Sequence, residues 1–303
     1  MTKTIASVFA AVLLSGAAQG QQASSAPAAP PDPTVQTVNI APGIYMLTGR
    51  GGNIGVSVGT DGAAIIDDKF ADNAPNIRAA VALLSPKPVS FVINTHLHGD
   101  HTGGNQAFGA EGAVIIAQEN VRKRLSSEGF IAFLAMKTQP APRIALPIVT
   151  FARDVSFHLN GDDIRAFHAP NAHTDGDTVV HFVKSDVIHA GDTFFNKLYP
   201  FIDTSSGGSV AGVLAAADRV LRMADDKTRI IPGHGPLATR ADLRAYRDML
   251  AAVSGRVRSQ IREGKTLEQV VASKPSAQYD EVWGKGFLAP EKFVTMLYGN
   301  LKK

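Results

Sequence analysis

Cysteine is absent from the 303 residues, which excludes disulfide cross-links, thiolate metal ligands and a cysteine nucleophile together. Strong charge of either sign is missing too: 19% of residues are charged and the formal net charge is +3. The basic residues are scattered, and the cluster Arg122-Lys123-Arg124 reads as the solvated face of a helix. Phosphate tracking needs an extended basic stripe, so no nucleic-acid partner is expected. The early apolar run from Ile5 to Leu14 is too short to anchor the chain across a bilayer. The following Ser15-Gly16-Ala17 lacks the cysteine that would carry lipid, so no stable membrane anchor is expected. The stretch "GRGGNIG" at 49 to 55 matches neither dinucleotide nor P-loop spacing and reads as a tight turn.

What is present divides the chain into three parts. Residues 1–20 combine Lys3, the apolar run and the small residues around Ala18 and Gly20, the pattern of a cleavable signal peptide, so a periplasmic or secreted protein is expected. Residues 21–34, "QQASSAPAAPPDPT", have no periodicity and read as a flexible tether. Residues 35–303 form the expected folded domain, with a helical C-terminal segment from about 240. Within it, short runs such as "IYMLTG", "IGVSVG", "VSFVINT", "AVIIAQ", "TVVHFV" and "TRIIPG" are strand candidates. Helical spacing is expected near 73–84, 211–223 and 240–262, the last with Leu243, Tyr246, Leu250, Val253 and Val257 on one face. Thr266 and Gln269 form a capping box that restarts a helix. Interleaved strands and helices point to sheets covered by helices, an α/β layered fold.

The chain has only nine histidines, yet "NTHLHGDHTGGN" places His96, His98, Asp100 and His101 within six positions. Chance would produce such a run on the order of a few times in ten thousand chains of this size. His96 and His98 follow a buried strand, and residues two apart in extended backbone point the same way, so both can reach one metal. Gly99 is expected to turn the chain, aiming Asp100 and His101 at a different point, so the spacing suggests two metals. Candidates for the missing ligands stand in glycine-flanked loops at predicted strand ends: His173, Asp192 and His234. His158, His168, His181 and His189 sit in strand-like runs and read as ordinary histidines, with His189 near enough to Asp192 in sequence to support it. Asn196, Lys197 and Tyr199 follow Asp192 and are read as ordinary surface residues, with Lys197 the candidate for attracting a substrate carboxylate.

The ordered set "THLHGDHTGGN", "AHTDGD", "HAGD" and "PGHG" resembles the metallo-β-lactamase superfamily over residues 35 to 240. The resemblance implies a four-layer αββα sandwich with the site at one edge, between the sheets. It implies one metal on His96, His98 and His173, a second on Asp100, His101 and His234, and Asp192 between them. Asp67 matches the acidic residue that braces the metal loop. Nitrogen and oxygen donors without thiolate suit zinc, so two Zn2+ per chain are expected. Family members with a redox di-iron centre carry glutamate where this chain has His98, which favours hydrolysis. The expected chemistry is attack by metal-bound hydroxide on a small molecule, with two zinc ions roughly 3.5–4 Å apart and Asp100 as the catalytic carboxylate. Most β-lactam-degrading members have cysteine or serine where this chain has Asp192, and aspartate there is common among relatives that cut thioesters, lactones and phosphodiesters. An exported enzyme opening a cyclic amide or ester is expected, β-lactam slightly ahead of lactone. The alternatives are another ester or thioester hydrolase, a phosphodiesterase, and a metal-binding protein without turnover.

Overall fold

Two sheets face each other, and each has helices on its other side. The computed structural model describes Met1 and residues 34–302; the leader and tether expected at 1–20 and 21–34 fall outside them, apart from Met1 and Thr34. The chain divides into units 1–31 and 32–303, and every strand and helix among the described residues belongs to the second.

The first half opens with β1 (Val35–Ala41), β2 (Ile44–Gly49), β3 (Ile54–Gly59) and β4 (Gly62–Ile66), an antiparallel meander. Next come α1 (Ala74–Ala82), β5 (Val89–Asn94), the short helices α2 (Gly99–Thr102) and α3 (Asn105–Ala110), β6 (Val114–Gln118) and α4 (Glu119–Leu125). A hairpin of β7 (Gly129–Ile131) and β8 (Met136–Thr138) precedes β9 (Val149–Phe151). The first sheet runs β1-β2-β3-β4-β5-β6-β9, with β4, β5, β6 and β9 parallel. The second half supplies β10 (Asp154–Leu159), β11 (Asp162–His168), β12 (Thr178–Phe182), β13 (Val187–Phe195), α5 (Val210–Met223) and β14 (Arg229–His234), and its sheet runs β10 to β14 in order. The chain ends with α6 (Arg240–Arg262), α7 (Leu267–Ala272), α8 (Asp280–Trp283) and α9 (Pro290–Leu301).

Consecutive strand residues point to opposite faces, which is why the central strands are apolar without alternation. Ile65, Val92 and Ile115 pack outward with Ile77 and Val81 of α1 and Phe108 of α3. Their neighbours Ile66, Ile93 and Ile116 pack inward with Ile164, Val180, Phe182 and Ile231 of the other sheet. A third core joins the far face of that sheet to α5, α6 and α9 through Ile188, Phe194, Val213, Leu243, Leu250, Phe293 and Leu297. The three cores make the αββα layering. Each fully buried Leu, Ile, Val or Phe contributes about 1.5–3 kcal/mol, so the C-terminal helices are integral to the second sheet.

The Thr266–Gln269 capping box starts α7 as expected, and a second one, Thr239 with Asp242, starts α6. Gly264, at φ +78, follows the end of α6. Sequence periodicity misses β1, the β7–β8 hairpin and β9. The last two are only three residues per strand, too short to show a period. Gly55-Val56-Ser57-Val58-Gly59 has the spacing of a serine-hydrolase elbow, but it is β3, and Ser57 is a buried strand residue accepting from Asn160 Nδ2. Among the described residues no helix is long and apolar enough to cross a membrane.

Candidate metal centre

The loops that matter sit at strand ends on one edge of the two sheets. Asp67 follows β4, His96 and His98 follow β5, His173 lies between β11 and β12, Asp192 is in β13, and His234 ends β14. The redirection after His98 differs from the expected glycine turn. Gly99 is the first residue of α2, with His98 as its N-cap, and a Cβ on Gly99 would meet nothing within 4 Å. Helical backbone alone rotates Asp100 and His101 away from His96 and His98.

These seven side chains converge. Donor atoms of His96, His98, His173 and Asp192 lie within 4.8 Å of one another, as do those of Asp100, His101 and His234. Asp192 faces both groups: Oδ1 is 3.1 Å from His101 Nε2, and Oδ2 is 3.4 Å from His234 Nε2, 3.5 Å from His173 Nε2 and 3.8 Å from His96 Nε2. Asp100 Oδ2 lies 3.3 Å from His234 Nε2 and 3.6 Å from His101 Nε2.

For His96, His98, His101 and His173 the outer partners decide which nitrogen carries the proton. Thr95 Oγ1 donates to Asp67 Oδ2, so it can only accept from His96 Nδ1, at 3.0 Å. His101 Nδ1 donates to Asp67 Oδ2 at 2.7 Å, and His173 Nδ1 to the Phe201 carbonyl at 2.8 Å. His98 is turned the other way, with Nε2 donating to Asp203 Oδ2 at 3.1 Å. The inward nitrogens of His96, His98 and His173 therefore present lone pairs, while His101 Nε2 and His234 Nε2 stand beside the carboxylates of Asp192 and Asp100. His98 Nδ1 faces His173 Nε2 at 2.8 Å and His101 Nε2 faces His234 Nε2 at 3.3 Å. His96 Nε2 and Asp192 Oδ1 are buried without hydrogen-bond partners. Acceptors aimed at one another repel unless a cation sits among them, and imidazole with carboxylate is a donor set that fits zinc.

Electrostatics separates the two groups. Burial pushes His173 down to about 4 and His96 well below the usual histidine range, so both are neutral donors at neutral pH. Burial also opposes charge on His234, but Asp192 and Asp100 outweigh it and push that imidazole up to about 9. His101 is raised by Asp192, Asp100 and Asp67 against the same burial penalty. Burial likewise opposes ionisation of Asp192, yet His101, His234, His96 and His173 hold its carboxyl well below the usual range.

A close backbone cradle completes the centre. A Cβ on Gly52 would lie 2.1 Å from the His101 ring, and one on Gly233 would lie 2.0 Å from Asp192 Oδ1. The "GRGGNIG" turn thus presses on the site, and Lys69 Nζ, wholly buried, donates to the Gly52 carbonyl beneath it.

Sequence comparison agrees with this geometry. The metallo-beta-lactamase superfamily model matches residues 47–234, more than half of the chain. The chain belongs to the metallo-beta-lactamase superfamily. Its match ends on His234, and the helices from α6 onward lie beyond it. Solved structures with this fold include a metallo-beta-lactamase from Pontibacter korlensis, at 18% identity and TM-score 0.58 over 72% of this chain and 99% of that one. The DIM-1 metallo-beta-lactamase aligns at 16% identity and TM-score 0.58, over 72% and 97% of the two chains. A sec-alkylsulfatase, Pisa1 from Pseudomonas sp., aligns at 18% identity and TM-score 0.64 over 87% of this chain, which spans 50% of that longer protein. At these identities the likeness carries the fold only.

The other candidates from the sequence fall outside the cluster. His158 is exposed beside Asp163, His168 bonds the Asp175 carbonyl and His181 is half-buried. His189 bonds the Asn53 carbonyl and the Gly191 amide, bracing strands rather than ligands. Asn196 is buried rather than at the surface, donating its backbone N–H to the His234 carbonyl and its side-chain amide to Pro236. Tyr199 is core, bonded to Asp280, and Lys197 is exposed. Sequence reading misses Thr95, Asp203 and Phe201. Asp203 caps Ser205 and Ser206 with Oδ1, and nothing in the chain signals its contact with a histidine 105 positions away.

Asp203→Asn keeps an acceptor for that turn but loses the carboxylate beside His98. Metal affinity at the His96–His98–His173 group should fall roughly 10–100-fold, measured by competition with a chelating dye. Unchanged affinity would reduce Asp203 to a turn residue.

Proposed function

We propose that this chain is an exported hydrolase holding two zinc ions and opening a cyclic amide or ester, with the β-lactam ring favoured over the lactone. The observation that carries the reading is the convergence of six imidazole and carboxylate ligands around Asp192, with tautomers held by Asp67, Thr95, Phe201 and Asp203 so that lone pairs point inward. His96, His98 and His173 would hold one ion, Asp100, His101 and His234 the other, with Asp192 shared. When bound, two such ions supply an acidified water as nucleophile and a Lewis acid for the carbonyl. Asp100, a quarter exposed and held ionised by His101 and His234 against burial, orients the incoming nucleophile. It would then take up the proton that this water loses and pass it to the leaving nitrogen or oxygen. Asp192 in place of the cysteine or serine of most β-lactam-degrading members keeps the lactone as the second ring. The leader at 1–20 supports export, and a small-molecule substrate is the expected partner.

The test is hydrolysis by the zinc-loaded protein of a β-lactam, an acyl-homoserine lactone, a chromogenic phosphodiester and a secondary alkyl sulfate. Opening of a ring substrate, with the phosphodiester and sulfate left intact, is expected. Four inert substrates with two metals bound would make the protein a binder instead. Asp100→Asn should cut turnover about 100-fold, a larger loss than its cost in stability; near-normal rates would remove its proposed role.

A further inference from the structure

The β7–β8 hairpin sets large apolar side chains in water: Phe130, Phe133, Leu134 and Met136 are all exposed, and only Ile131 turns into the core. Contiguous exposed apolar surface of this kind marks a binding site more often than a free surface. The strand register assigns the faces. Phe130 pairs with Lys137 and Ile131 with Met136, so the lysine shares the face of Phe130 and not that of Ile131.

The hairpin tip is tied to the metal centre in two ways. Phe133 lies 5.7 Å from Phe201, ring centre to ring centre, and Phe201 lies 5.8 Å from His98 and 5.7 Å from His173. Phe287, in the loop after α8, stands 6.3 Å from Phe201 on a further side. The second tie is a hydrogen-bond chain: the Ala132 N–H donates to Ser205 Oγ, the Ser205 hydroxyl donates to Asp203, and Asp203 accepts from His98. The position of Phe133 relative to the ligands is therefore set by bonds as well as by packing. Phe201 is nearly buried, while Phe133 and Phe287 are 37% and 69% exposed. A wall of rings thus leads from two ligand histidines out to solvent. Two of the charged pairs beside it are closed, Arg124 with Asp175 through two bonds and Asp203 with His98.

We propose that Phe133, Phe201 and Phe287 form the subsite for an uncharged hydrocarbon substituent, an alkyl chain or aryl ring, on the substrate whose reacting group lies at the His/Asp cluster. This rests on the hydrolase reading for the word substrate, but the subsite can be measured without turnover. Phe133 and Phe287 give the substituent exposed ring surface on two sides of Phe201, whose nearly buried ring links them to His98 and His173. The hydrocarbon gains by leaving water, while an ionic group would find no polar partner on the three rings themselves.

The test is calorimetric binding of n-alkylphosphonates, methyl to octyl, to the zinc-loaded full chain, with the double variant Phe133→Ser, Phe287→Ser alongside. Each methylene should tighten binding by about twofold to fourfold in the unmodified protein, giving an octyl-to-methyl affinity ratio of about a hundredfold or more. In the double variant the ratio should fall below about tenfold. Both side chains are exposed, so folding should survive the change, as a melting curve will verify. A flat series in the unmodified protein, or a ratio untouched in the variant, overturns the subsite. A flat series together with concentration-dependent dimers assigns the surface to self-association instead. A steep series in a protein that leaves all four test substrates intact keeps the subsite and removes the hydrolase reading, so the two failures are distinct.

Discussion

Asp192→Ala should bring metal content down from the proposed two ions per chain and lower hydrolysis by about a thousandfold or more, because this carboxylate reaches both ligand groups. Metal analysis and kinetics on the same preparation check it, with His181→Ala, half-buried and away from the cluster, as the control that should stay near normal. A further readout needs no metal. In the metal-free protein Asp192 and Asp100 overcome burial to push His234 up to about 9 from 6.5. A folded-state pKa raised above the unfolded one adds stability that is complete below about 6.5 and lost as pH rises through about 9. Removing Asp192 should shrink that window, and histidine titration by NMR should show His234 dropping toward or below 6.5. Full metal content in Asp192→Ala would mean that the two groups bind independently of it.

Asp67→Ala carries the second large effect, on stability as much as on metal. The Asp67 side chain is buried and accepts the Thr95 N–H at 2.7 Å, the Thr95 hydroxyl at 2.7 Å and His101 Nδ1 at 2.7 Å. Deleting it leaves three buried donors unpaired at about 1–3 kcal/mol each, so a loss of about 3–5 kcal/mol is expected after relaxation. Its backbone, at φ +67, also suits aspartate better than alanine. Denaturant unfolding measures the loss, and dye competition should show weaker metal binding at the His101 group, roughly 10–100-fold. Asp67→Asn separates the two roles. Its amide oxygen can still take the Thr95 N–H and recover much of the stability. Its NH2 would face His101 Nδ1 as a donor, forcing the ring proton onto Nε2, so metal affinity should stay low. If asparagine restores both, the carboxylate does not set the His101 tautomer.

Much of the fold is legible in the chain because burial on both faces makes an unmistakable pattern. The runs at β2, β3, β5, β6, β12 and β14 are short, apolar and closed by glycine, proline or polar residues, and α6 repeats its core residues at helical spacing. Local signals also place the α7 cap. They fail at β1, half-exposed and irregular, and at the hairpin, whose exposed phenylalanines look like core residues in sequence. Gly99 misleads for a related reason: a glycine inside a dense motif suggests a turn, whereas a helix start redirects the chain there.

The chain alone carried the identity of the seven candidate ligands and Asp67, since clustered histidines and glycine-flanked acids are rare enough to notice and local enough to read. Tertiary structure alone decided what those side chains can do. The tautomers of His98, His101 and His173 are set by partners across the fold: Asp203, Asp67 and the Phe201 carbonyl. Likewise, the phenylalanine wall exists only because a hairpin and a C-terminal loop meet beside Phe201. Proton position and apolar enclosure depend on distances between residues far apart in the chain, and residue order does not encode those distances until the sheets have packed.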